Sequence, residues 1–82
     1  MADPLSEIFA ILRTLLHDSD QELTPATRFD DLAGWDSMDL VTVAVEAECR
    51  FDLLFDSTEI DQFVTIADLL RAITTKQALA SA

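Results

Sequence analysis

The residue best placed to do chemistry is Ser37, in the stretch Gly34-Trp35-Asp36-Ser37-Met38-Asp39-Leu40-Val41. Asp36 suits the N-cap of a helix over residues 37–51, because its carboxylate can accept a bond from an otherwise unpaired N–H of the first turn. The Ser37 hydroxyl then sits at the positive end of the helix dipole. Free N–H groups and that dipole would stabilise a phosphate attached there. Catalysis by Ser37 fits poorly. The one histidine is His17, no Gly-x-Ser-x-Gly turn surrounds the serine, and no base accompanies it. No catalytic residue is assigned.

The helix that follows carries two apolar stripes. At 100° per residue, Leu40, Val43, Ala44, Ala47 and Phe51 fall on one side and can enter a core. Met38, Val41, Val45 and Cys49 fall on another. A helix packed on one face needs a single stripe, so the second is expected at the surface below Ser37, where it would serve as a docking patch. Its burial under the preceding loop is the competing expectation.

On these residues the chain resembles an acyl carrier protein. In that family an Asp-Ser-Leu or Asp-Ser-Met tripeptide opens the second helix, and 4′-phosphopantetheine esterifies its serine. The tripeptide here is Asp36-Ser37-Met38, in a similarity running from Leu5 to Ile73. The resemblance implies that Ser37 is the attachment point, Asp36 helps place it, and acyl groups ride on the cofactor's thiol as thioesters. It implies no catalysis by the chain itself. A phosphopantetheinyl transferase would move the group from coenzyme A and supply the base and Mg²⁺. The reactive thiol belongs to the cofactor, so Cys49 need not be the functional one.

The resemblance also implies docking of acyl or ketoacyl synthases and acyltransferases whose basic patches meet an acidic helix. By matching position, Asp36, Asp39, Glu46 and Glu48 would supply charge, and Met38, Val41 and Val45 apolar contact. Thr42 and Cys49 stand where glutamate is frequent in fatty-acid carriers, and Arg50 adds a positive charge. Asp56 replaces the familiar proline after the second helix. Trp35 looks more like free-standing carriers of specialised pathways. The expectation is therefore a carrier of acyl or polyketide-type intermediates, in fatty-acid or specialised biosynthesis. The alternatives are an aminoacyl or peptidyl carrier, or a cofactor-free helical interaction domain.

Composition agrees with these limits. Sixteen acidic residues against five basic ones give a net charge of −11. That opposes nucleic-acid binding and anionic membrane surfaces, and favours partners with basic patches. One cysteine excludes an internal disulfide framework. No apolar run has the length of a membrane span, and the Met1-Ala2-Asp3-Pro4 start lacks a signal region. A cytoplasmic monomer is expected. Asp18, Asp20 and Glu22 invite a calcium loop, but Leu23 and Phe29 occupy positions where an EF-hand needs glycine and glutamate. No metal site is assigned, although loose cation binding by the acids stays open.

The elements positioning Ser37 read as one all-α domain over 1–82, with a core of about 4–76. The expected fold is a small four-helix bundle, three main helices and a short one, with a long loop between helices 1 and 2. The first helix starts with Asp3 as N-cap and Pro4 at its first position, and stops near His17. Leu5, Ile8, Phe9, Leu12, Leu15 and Leu16 form its stripe. Leu23, Phe29, Leu32 and Trp35 are expected to anchor the long loop, with Pro25 and Gly34 turning it. A short helix is expected over 57–61, with Ile60 and Phe63 in the core. Thr65 and Asp68 form a capping box for the last helix, helped by a Val64–Leu69 staple. Ile66, Leu69, Leu70 and Ile73 form its stripe, Arg71 and Lys76 lie towards its C-terminus, and residues 77–82 are expected to fray. Ala44 and Ala47 either leave room for an acyl cavity or permit close helix packing.

Overall fold

In the computed structural model, residues 3–16, 22–32 and 34–81 are described, with side chains to Leu79. They form α1 (Pro4–Leu15), α2 (Ser37–Phe51), α3 (Ser57–Asp61) and α4 (Ile66–Ser81), the expected small helix bundle. His17, Asp18 and Asp20 lie outside the described residues. None of the described helices is long and apolar enough to cross a membrane.

Pro4 opens α1 after an extended Asp3, whose carboxylate makes no cap bond. The buried face of α1 is Ile8, Ile11 and Leu12, while Leu5, Phe9, Leu15 and Leu16 are partly buried. Ile11 was not in the expected stripe. It is buried because α1 packs against both α2 and α4, so the helix covers a wider arc than one stripe.

The connection from α1 to α2 is fastened rather than loose. Leu23, Phe29 and Leu32 are buried and Trp35 is half-buried against the core, which matches the anchors read from sequence. Phe29–Asp31 form a short 3-10 turn. The loop also caps α4: the N–H of Ile66 donates to the Thr27 carbonyl at 3.0 Å, and that of Ala67 to the Pro25 carbonyl at 2.8 Å. These bonds satisfy first-turn donors that would otherwise be orphaned.

Val43, Ala44 and Ala47 of α2 are fully buried. The helix ends at Asp52, which takes a left-handed conformation at φ 53° that aspartate tolerates better than most residues. The crossing to α3 buries Phe55, which meets Phe63 edge to face at 5.4 Å. Phe55 was not singled out as core, because an apolar run as short as 53–55 has no period to say which residue turns inward. Ile60 is partly buried and Phe63 buried, as expected.

In α4, Ile66, Leu69 and Ile73 are fully buried. Asp68 Oδ2 accepts from the N–H of Val64 and Thr65, both at 3.0 Å, and the Asp68 N–H donates to Thr65 Oγ1 at 3.3 Å. The capping box is therefore present, although Val64 stays 46% exposed. The helix continues to Ser81 instead of fraying from residue 77. Its last stretch, from Gln77 through Ala80, contains only good helix formers and neither glycine nor proline. Arg71 and Lys76 consequently lie in the body of the helix and reach sideways. Lys76 Nζ pairs with Glu59 at 3.0 Å and sits 5.7 Å above the Phe55 ring, which ties α3 to α4.

Candidate functional site

Ser37 is the first residue of α2, and its side chain is exposed. Two carboxylates fix the turn that carries it. Asp36 Oδ1 accepts from the N–H of Met38 at 2.9 Å and from that of Asp39 at 3.1 Å. Asp39 Oδ2 accepts in return from the Asp36 N–H at 3.0 Å. This reciprocal box satisfies first-turn donors and favours negative charge at the positive end of the helix dipole.

The box changes one expectation. One first-turn N–H was expected to go to Asp36 and the free ones to a phosphate on Ser37, but the Asp36 carboxylate takes two, those of Met38 and Asp39. A short acid at the N-cap competes for the donors a phosphate would use. The dipole and the exposed hydroxyl remain available.

Behind the serine, the chain is delivered by a turn. Gly34 takes a positive φ of 73°, which a β-turn of this hand requires and a Cβ would oppose. The Trp35 N–H closes the turn on the Leu32 carbonyl at 3.2 Å. The Trp35 ring stacks on Phe29 with centroids 5.4 Å apart and an interplanar angle of 17°. Sequence spacing marked both rings as anchors. Their mutual stacking depends on the 3-10 turn at Phe29, which no periodicity announces.

Below the serine, Met38 is 68% exposed, Val41 43% and Val45 49%, with Cys49 exposed beyond them. These apolar residues lie on the surface, so burial beneath the loop is excluded. Glu46 is exposed alongside. Glu48 is partly committed: its Oε2 accepts from the Phe55 N–H at 2.8 Å and holds the crossing to α3. Arg50 is paired with Glu7 of α1 at 2.8 Å, so its charge is partly offset.

A hydroxyl held in the open at the start of a helix can be reached and modified by another protein. A phosphodiester on Ser37 fits sterically because the side chain is exposed and the box leaves its oxygen outside. Ala44 and Ala47 are fully packed into the core. Two surface grooves open elsewhere, one of about 400 Å³ between α3 and α4 and one beside Glu48 and Leu54, and neither is lined by these alanines.

Residues 6–73 match the family model described as a phosphopantetheine attachment site. The fold is similar to a solved structure described as "a putative acyl carrier protein" from Mycobacterium tuberculosis, with a TM-score of 0.80. That similarity spans 89% of this chain and 97% of the other at 22% identity.

Proposed function

The chain belongs to the family of phosphopantetheine attachment domains and is a carrier protein, and on that premise we propose that Ser37 is the residue to which its cofactor is joined. The observation that carries this reading is the exposed Ser37 side chain, on the first residue of α2, in a first turn that the Asp36–Asp39 capping box closes. Asp36 has two roles. It holds the first turn of α2 in place, and it offers negative charge beside the serine to an incoming transferase.

The bound arm would supply a terminal thiol on which cargo travels as a thioester. This chain's own part is to present the arm and be recognised. Met38, Val41 and Val45 form the apolar strip against which a partner closes, and Asp39 and Glu46 flank it with charge. Glu48 contributes what its bond to Phe55 leaves free. A net charge of −11 steers the carrier towards basic patches on synthases and acyltransferases. The cargo is an acyl or polyketide-type intermediate, with an aminoacyl group as the alternative.

Incubation of the unmodified protein with coenzyme A and a broad-specificity phosphopantetheinyl transferase tests the assignment. Wild type should gain the mass of one phosphopantetheinyl group, and Ser37→Ala should gain nothing. Modification of Ser37→Ala to the wild-type extent would overturn it.

A further inference from the structure

One tie between the start of α2 and the core runs through Trp35, which packs against the core from just outside the helix. Gly34 has no side chain, and the Asp36 carboxylate bonds only within the first turn of α2. Within α2, Met38 is largely exposed, Leu40 is partly buried against the core as Trp35 is, and the first fully buried residue is Val43, nearly two turns in. Trp35 lies immediately before the N-cap. Its ring stacks on Phe29, which is 2% exposed and fastened through its own N–H to the Val64 carbonyl at 2.9 Å. Helix ends fray when nothing anchors them, and here the stacked pair anchors the end that bears the serine.

We propose that Trp35 is a positioning residue for the modification of Ser37: its stack on Phe29 holds the Asp36–Asp39 box, and with it the serine, in the one arrangement a transferase accepts. The proposal rests on Ser37 being the attachment point. Without the stack, the first turn of α2 samples other arrangements, and only a fraction of the carrier is competent at any moment. A protein whose competent state is partly populated binds its partner more weakly by that fraction. The loss therefore falls on the KM for the carrier, while kcat and the KM for coenzyme A stay near wild type.

The test is steady-state phosphopantetheinylation of wild type, Trp35→Ala and Trp35→Phe at a temperature where circular dichroism shows all of them folded. Trp35→Ala should raise the carrier KM, by up to roughly ten-fold, the ceiling that the loss of one aromatic pair sets on the fall in the competent fraction. Trp35→Phe, which keeps a ring to stack, should restore it to within about two-fold. Amide exchange at Met38 and Asp39 should quicken in Trp35→Ala alone. Should Trp35→Ala fail to fold, Trp35→Leu replaces it, since leucine keeps apolar volume without a ring. A folded alanine or leucine variant with the wild-type KM would overturn the proposal and leave the Ser37 assignment standing. A wild type that is not modified at Ser37 would overturn both.

Discussion

Asp36 and Asp39 bond to each other's backbone: Asp36 Oδ1 lies 3.1 Å from the Asp39 nitrogen, and Asp39 Oδ2 lies 3.0 Å from the Asp36 nitrogen. Ser37 sits between them on the first residue of α2. The same two carboxylates thus close the helix and border the site. Replacing Asp36 by alanine should cost about 1 kcal/mol of stability, the usual worth of such a cap. Asp39→Ala should cost less, because it removes one bond where Asp36→Ala removes two. The double variant should fall short of the sum, since the two residues share one box. Urea unfolding of the three variants measures each value.

Acid should loosen α3 and the start of α4. The Asp56 N–H, with Lys76 beside it, holds the Glu59 carboxyl below its ordinary value of 4.5. The N–H groups of Thr65 and Val64 hold Asp68 below its ordinary 3.8. Both folded values are depressed, so the stability they contribute is fully present above the unfolded values. It is lost as pH falls below them and through the folded ones. Unfolding followed from pH 7 to pH 2 should show this acid slope, and Asp68→Asn should flatten its lower part. An unchanged slope in that variant would contradict the assignment.

Glu48 can be tested for two separable roles. Its Oε2 receives the Phe55 N–H at 2.8 Å, at a partly buried position. Glu48→Gln keeps an acceptor there and should cost little, whereas Glu48→Ala should cost on the order of 1 kcal/mol. If the charge also serves docking, Glu48→Gln should weaken binding to a synthase while leaving the melting temperature nearly unchanged. Equal binding by wild type and Glu48→Gln would confine this residue to holding the α2–α3 crossing.

The exposed strip on α2 should matter to partners and little to folding. Val41→Asp and Val45→Asp replace surface side chains, for which stability changes of within about 0.5 kcal/mol are usual. Both should weaken association with an acyl-processing enzyme, by removing apolar contact and placing an acid in the centre of the interface. Calorimetric titration of the modified carrier into such an enzyme would report it. Wild-type affinity in both variants would move the docking surface elsewhere.

Much of this arrangement could be read from residue types. Asp36 before Ser37, and Thr65 with Asp68, announce helix starts through local bonds that involve only neighbours in sequence. The two stripes of α2 are equally local, since 3.6-residue periodicity assigns each residue a side. Less legible was whatever depends on packing between distant segments. Ile11 is buried because two helices, not one, cover α1. The stack of Trp35 on Phe29 depends on a 3-10 turn and on Gly34 at φ 73°. Capture of the Ile66 and Ala67 N–H groups by loop carbonyls spans some forty residues of chain, and no spacing rule foretells it. Glu48 also looked like a purely outward charge until its bond to Phe55 placed it partly in service of the fold.

The most direct measurement is the intact mass of the protein recovered from cells that produce it, followed by fragmentation of the peptide containing Ser37. A mass excess of one phosphopantetheinyl group, bare or loaded with cargo, should appear and localise to that serine. Protein that is unmodified throughout, or that bears the group on another residue, would contradict the assignment.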